Sequence, residues 1–305
     1  MTIEEQEPEN FNNAHKADFK SIYNQPDPRA YFATLTPLGY QIPQRALPVI
    51  DRVLALSSVT HDATTTSDNV EPGVIKILDV CCSYGINAAL LRHDLDLDGL
   101  AAHYASTPKL SAAEQTAADR RFFASRRRRP GVEVLGLDSA PGAVSYAVET
   151  GLLTAGFAED LEVSEPSPAL RAALREVSVV VCTGGVGYVS ATTFARAAAC
   201  VRDAGRRLWV VSFVLRVFPF EGVAALLAEE HGLVTERVEG AVFRQRRFVS
   251  GEERRAAVED VGRRGLDGTG LEADGWFWAE CWVTRPRGAE ARMEDVLGSV
   301  GVLRV

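Results

Sequence analysis

The sequence predicts an α/β fold, a mostly parallel sheet with helices on both faces, preceded by a small N-terminal helical cap and interrupted by insertions. Three observations predict it. From Val74 onward, short β-branched runs (VIKILDVC, VEVLGLD, VSVVVCT, RRLWVVSFV, WFWAECWVT) alternate with alanine-rich helical stretches, the order that strand–helix–strand crossovers produce. The second of these runs ends in Asp138-Ser139-Ala140-Pro141, where proline marks the start of a helix just past the strand. A chain of 305 residues with 46% hydrophobic residues can also bury one large core.

Taken in order, residues 1–20 read as an acidic, disordered tail and residues 21–56 as a cap, with a helix expected over Pro43–Leu56. Residues 57–73, rich in Ser, Thr and Asp, read as a linker. The main domain is expected over 74–285, with one helical insertion at about 94–130 and a second at about 244–275, followed by a tail over 286–305. The N-terminus lacks an apolar core of signal-peptide length, and no apolar run approaches the ~20 residues needed to cross a bilayer.

The formal charge of −8 disfavours nucleic-acid or anionic-membrane partners and leaves small molecules as the expected ones. The five cysteines lack zinc-type spacing and include the neighbours Cys81 and Cys82, so a reducing, cytoplasmic setting is expected. The histidines are scattered without ligand spacing, and no metal is expected. Oligomeric state is not readable.

Candidate site residues gather at the strand ends. In an open parallel sheet ligands bind at that edge, where helix N-termini present free N–H groups. The first strand delivers Asp79 and turns through Cys81-Cys82-Ser83-Tyr84-Gly85; Gly85 would permit close backbone approach, or the small residues simply pack. Asp138, beside Ser139, is placed to accept both hydroxyl hydrogens of a ribose, a surface helix cap being the alternative. Glu159 and Asp160, at the end of a third strand, could accept an adenine amino proton. The fourth strand ends in Thr183-Gly184-Gly185 with Tyr188 just beyond, and the fifth places Ser212 and Arg216 near its end.

In this order the pieces resemble the class I S-adenosylmethionine-dependent methyltransferase family over about Val74 to Arg285. The resemblance implies a Rossmann-like, seven-stranded sheet whose last strand, WFWAECWV, runs antiparallel. It also implies S-adenosyl-L-methionine as cofactor, with Asp79–Gly85 at the methionine end, Asp138 on the ribose and Glu159-Asp160 on the adenine. The chain departs from the family where Cys81 and Ser83 stand in place of residues that are often glycine. A dinucleotide is disfavoured because the GxGxxG pyrophosphate turn is missing.

Methyl transfer to a small molecule is the leading expectation, since no Asn/Asp-Pro-Pro-aromatic loop of nucleic-acid methylation follows the fourth strand, which reads CTGGVGY. Caps in the family commonly close over the cofactor, and Tyr23 and Tyr31 would then shield a sulfonium by cation–π attraction. The cap and the CCSYG loop are also loosely similar to enzymes that cyclise S-adenosylmethionine to azetidine-2-carboxylate and methylthioadenosine. In that reaction Tyr188 and Ser212 would contact the sulfonium and orient the amine. A non-catalytic scaffold is the third alternative.

Overall fold

The computed structural model describes residues 16–62, 74–289, 296 and 303–304. Most of the expected tails and linker therefore lie outside the described residues.

β1 (Ile75–Val80) sits centrally, parallel to β2 (Val132–Leu137) on one side and β4 (Val179–Thr183) on the other. β3 (Ala155–Phe157) adds parallel to β2, and β5 (Trp209–Leu215) parallel to β4. β7 (Trp276–Pro286) is antiparallel to β5, and β6 (Leu233–Arg247) is antiparallel to β7. The strand order is β3-β2-β1-β4-β5-β7-β6, with a two-residue eighth strand, β8 (Leu303–Arg304), on the outer edge of β6. The sheet is the expected mostly parallel, Rossmann-like one, its antiparallel strand being WFWAECWVTRP. It carries one short strand more than the seven expected.

Sequence chemistry explains the elements. β4 and β5 are buried almost throughout, as strands covered on both faces must be, so they read as continuous apolar runs. Between the sheet strands run α4 (Ile86–Arg92), α7 (Pro141–Glu149), α8 (Pro168–Leu174), α9 (Ala191–Asp203) and α10 (Glu221–His231). Proline opens α7 and α8 at a position where its missing N–H costs nothing.

The insertion at about 94–130 folds as α5 (Leu97–Ala105) and α6 (Ala112–Ala124), the latter opened by a Ser111/Glu114 capping box. It is braced by a buried carboxylate: Asp119 binds His103 Nε2 at 2.6 Å and accepts from Gln115 and Tyr146. The second insertion starts later than expected. Residues 244–247 continue β6, and only α11 (Gly251–Arg263) and a short 3-10 turn at Glu272–Asp274 stand outside the sheet.

The N-terminal segment forms α1 (Lys20–Tyr23), α2 (Arg29–Leu35) and α3 (Ile42–Asp62). α3 is longer than the expected Pro43–Leu56 and holds Pro48 inside it. Its apolar side, including Ile42, Ala46, Val49, Ile50 and Val53, is fully buried in the same core as the sheet.

Candidate functional site

The carboxyl ends of β1 to β4 and the cap enclose one cavity of about 410 Å³, within the range of small-molecule sites. Eleven of the expected residues line it: Cys81 and Ser83 after β1, Asp138 and Ser139 after β2, Glu159 and Asp160 after β3, and Thr183, Gly184 and Tyr188 at β4 and its loop. Tyr23 and Tyr31 close it from the cap.

The turn after β1 answers the question raised by its missing glycines. Cys81 and Ser83 both adopt left-handed backbone, at φ 58° and 49°, a conformation that costs a non-glycine residue about 1–2 kcal/mol. The turn is held by compensating bonds. Cys81 N–H donates to Leu137 O at 2.8 Å, and Ser83 N–H donates to Asp138 Oδ2 at 2.8 Å. The glycine-type turn thus forms without its glycines.

Asp138 is correspondingly occupied in part. Its Oδ1 accepts from Ala140 N–H at 2.9 Å, so the carboxylate joins the ends of β1 and β2 while facing the cavity. Burial pushes its pKa up, against the N–H bonds that pull it down. Glu159 accepts from the N–H and hydroxyl of Ser167, the N-cap of α8, at 2.9 and 2.6 Å. The exposed Asp160 accepts from Glu162 N–H.

Four expected residues do not reach the cavity. Asp79 is fully buried one layer behind it, where its Oδ1 accepts from Asn87 Nδ2 at 2.8 Å. Its Oδ2 has no hydrogen-bond partner among the described residues, and burial raises its pKa to about 7. Asn87 itself lines the cavity and also donates to Thr183 Oγ1. Tyr84 points away, into the cap. Its hydroxyl accepts from Gln25 N–H at 2.9 Å and lies 2.8 Å from Ile22 O and 3.0 Å from Gln25 O.

Gly85 serves packing rather than ligand approach. It is left-handed at φ 74°, and a Cβ there would stand 3.2 Å from Ala147 Cβ and 3.3 Å from Leu152 Cβ. Ser212 is fully buried within β5, paired in register with Cys182 and Trp282. The strand continues to Leu215, so Ser212 is too deep in the sheet to reach its edge.

Several lining residues escaped the sequence reading. Gly184, at φ 80°, is overhung by Gln245, whose Nε2 would lie 2.7 Å from a Cβ there. Gln245 is buried, and its Oε1, like Ser83 Oγ, has no hydrogen-bond partner among the described residues. Arg246 forms a buried two-point ion pair with Glu253 at 2.7 and 3.0 Å. Lys16, just before α1, places Nζ 4.8 Å from the centre of the Tyr188 ring. The signal for Gln245 and Arg246 was the β6 alternation, broken by irregularities at Arg237/Val242 and Arg244/Arg246.

The cap is tied down on several sides. Asn24 Oδ1 accepts from Gly142 N–H, Gln41 N–H donates to Gln245 O, and Arg247 N–H donates to Leu38 O. Ala17 N–H donates to Glu253, and Arg29, ion-paired to Asp27, donates to the carbonyls of Thr107 and Leu110. Inside this frame Tyr31 is the hub of an aromatic cluster, edge-on to Tyr23, Tyr40 and Tyr84 at 5.8–6.1 Å. Burial raises the pKa of Tyr23, Tyr31 and Tyr40, so their rings are neutral and face the cavity as π surfaces.

No family model and no curated protein matches the chain. Among solved structures it is similar to a TehB-like SAM-dependent methyltransferase from Corynebacterium glutamicum, at 17% identity over 74% of this chain and 86% of that one, TM-score 0.33. It is also similar to a SAM dependent methyltransferase from Aquifex aeolicus (11%, 88% and 99%, TM-score 0.38). A third is geranyl diphosphate methyltransferase in complex with SAM (14%, 89% and 96%, TM-score 0.39). The strand order and directions described above, not these distant superpositions, define the fold class.

Proposed function

We propose that the protein is an S-adenosylmethionine-dependent methyltransferase acting on a small molecule. The observation that carries this reading is the convergence of four strand ends and an aromatic cap on one cavity with a carboxylate side at Asp138, Glu159 and Asp160 and a tyrosine-lined side. The donor set fits the cofactor: Asp138 toward the ribose, Glu159-Asp160 toward the adenine, and Cys81, Ser83, Thr183 and Gly184 toward the methionine end. Ser83 Oγ and Gln245 Oε1, buried and unpartnered, supply polar contacts that a bound ligand would complete.

The sulfonium supplies an activated methyl group. The protein's part is to position and to exclude water, which suits a cavity roofed by Tyr23 and Tyr31. No helix among the described residues is long and apolar enough to cross a membrane.

One observation favours keeping a second reading. At about 410 Å³ the cavity is near the low end of small-molecule sites, a size that suits one cofactor molecule. An intramolecular reaction, with the cofactor's own amine attacking its γ-carbon and methylthioadenosine leaving, suits that space. Chromatography of the products after incubation with S-adenosylmethionine separates the two. S-Adenosylhomocysteine formed with a small-molecule extract supports methyl transfer, and methylthioadenosine above the spontaneous rate without any acceptor refutes it. Absence of calorimetric binding would leave only a scaffold.

A further inference from the structure

We propose that Lys16 is the base that takes the proton from an ammonium nucleophile inside this cavity, which makes the nucleophile's class an amine. The proposal rests on the cofactor reading above and adds to it the residue that handles the proton and the class of group that is alkylated.

The placement is built rather than incidental. The backbone beside Lys16 is fixed by Ala17 N–H, which donates to Glu253 at 2.9 Å, and Glu253 is itself locked to Arg246. The side chain then reaches into the cavity over Tyr188. The Tyr188 ring face beneath Lys16 Nζ is a surface that attracts cations, and Gln245 Oε1 and Ser83 Oγ offer acceptors for N–H donors in the same cavity.

Elimination among the lining groups leaves Lys16 as the base. None of the described residues lining the cavity is histidine. Burial raises the pKa of Tyr23, Tyr31, Tyr40 and Tyr188, and a bond to Cys182 together with burial raises that of Cys81, so all of these hold their protons. Asp138 already accepts two N–H bonds, Glu159 is spent on Ser167, and Asp160 stands at the exposed rim, where it accepts from Glu162 N–H. Asp79 lies behind Asn87. Among the described lining groups Lys16 combines access with a pKa lowered to about 7, first by burial and then by the guanidinium of Arg246. Among the described residues, the charged and titratable groups around it are Arg246 on β6, Glu253 and Asp260 on α11, Cys81 after β1, Tyr188 after β4 and Asp18 on its own segment. A base poised near the working pH is the most effective one.

The step balances. One ammonium N–H proton moves to Lys16 Nζ, and the freed nitrogen pair forms the new N–C bond. The C–S bond breaks with its pair going to sulfur, which leaves as a neutral thioether. Lys16 then releases its proton to solvent. Both the intermolecular and the intramolecular reaction in the previous subsection use this base in the same way.

The chain has four lysines, Lys16, Lys20, Lys76 and Lys109, so each can be followed separately. Competitive acetylation of the ligand-free protein with acetic anhydride, read per lysine by mass spectrometry, should show Lys16 becoming reactive through about pH 7, well before Lys76 and Lys109. A Lys16 profile that tracks theirs overturns the proposal. In the second arm, Lys16→Arg keeps the charge but cannot serve as a base. It should retain calorimetric binding of S-adenosylmethionine, lose product formation by roughly 100-fold or more and lose the rise in rate near pH 7. Retained turnover with an unchanged pH profile refutes Lys16 while leaving the cofactor reading intact. Failure of the wild-type protein to bind S-adenosylmethionine refutes that reading, and this proposal with it.

Discussion

Tyr84→Phe removes one oxygen and tests whether the loop after β1 holds the cap closed. That oxygen accepts from Gln25 N–H at 2.9 Å and reaches Ile22 O at 2.8 Å and Gln25 O at 3.0 Å. The ring is fully buried, and its edge-on contacts with Tyr31 and Tyr146 survive the substitution, so packing is conserved. What is lost is the partner of one N–H and of one carbonyl. An amide left unsatisfied costs about 1–3 kcal/mol. If the whole cost falls on closure of the cap, the open population rises roughly 5- to 150-fold. Hydrogen exchange resolved at the Gln25 amide should accelerate by that factor, while amides in α9 keep their rates. S-Adenosylmethionine should dissociate faster from the variant. An unchanged Gln25 rate would refute the tether, and equal acceleration in α9 would mean a global loss of stability instead.

Three further outcomes are expected. Gly184→Ala places a Cβ 2.7 Å from Gln245 Nε2 on a backbone at φ 80°; calorimetry should find ligand binding weakened roughly 5- to 150-fold, by about 1–3 kcal/mol, with the far-UV spectrum preserved. Ser212→Ala should leave turnover and ligand affinity within about twofold, because the hydroxyl is sealed inside β5; a large loss would restore Ser212 to the chemistry. Asp79 has a folded-state pKa raised to about 7 from 3.8, by burial above all. Its contribution to stability is therefore fully present below pH 3.8 and lost as pH rises through 7. Asp79→Asn should gain thermal stability relative to wild type at pH 8 but not at pH 4, by up to ~4 kcal/mol; equal differences at the two pH values would refute the assignment.

Strand ends were legible in the sequence because a fully covered parallel strand has to be continuously apolar and has to stop at a polar or glycine residue, as at Asp138 and Thr183. The same logic found the cap tyrosines, whose spacing around Pro26 and Pro28 marked them as a compact group. What it could not give was direction. In Cys81-Cys82-Ser83-Tyr84-Gly85 two left-handed residues turn the chain so that Cys81 and Ser83 face the cavity and Tyr84 faces the cap, and nothing in residue type announces such backbone. Ser212 was misplaced because a strand's length past its last polar residue is set by pairing with β7. Gln245 and Arg246 were hidden by the bulges that break the two-residue period of β6. Lys16 was invisible for another reason: its partners, Glu253 and Tyr188, lie far along the chain.

That separation has a consequence for how the protein is made. The segment that roofs the cavity precedes much of what holds it: Leu38 O and Gln41 N–H wait for Arg247 and Gln245, and Ala17 N–H waits for Glu253. During synthesis, with domains folding as units from the N-terminus, the part of α3 that packs on β4, β5 and β6 stays uncovered until those strands have emerged, while α4 covers its neighbouring part earlier. Ligand recognition is therefore a property of the finished chain. A product ending before Glu253 would still contain every strand-end carboxylate and both cap tyrosines, and would lack the Glu253 acceptor of Ala17 N–H and the strand β7 on which β6 pairs.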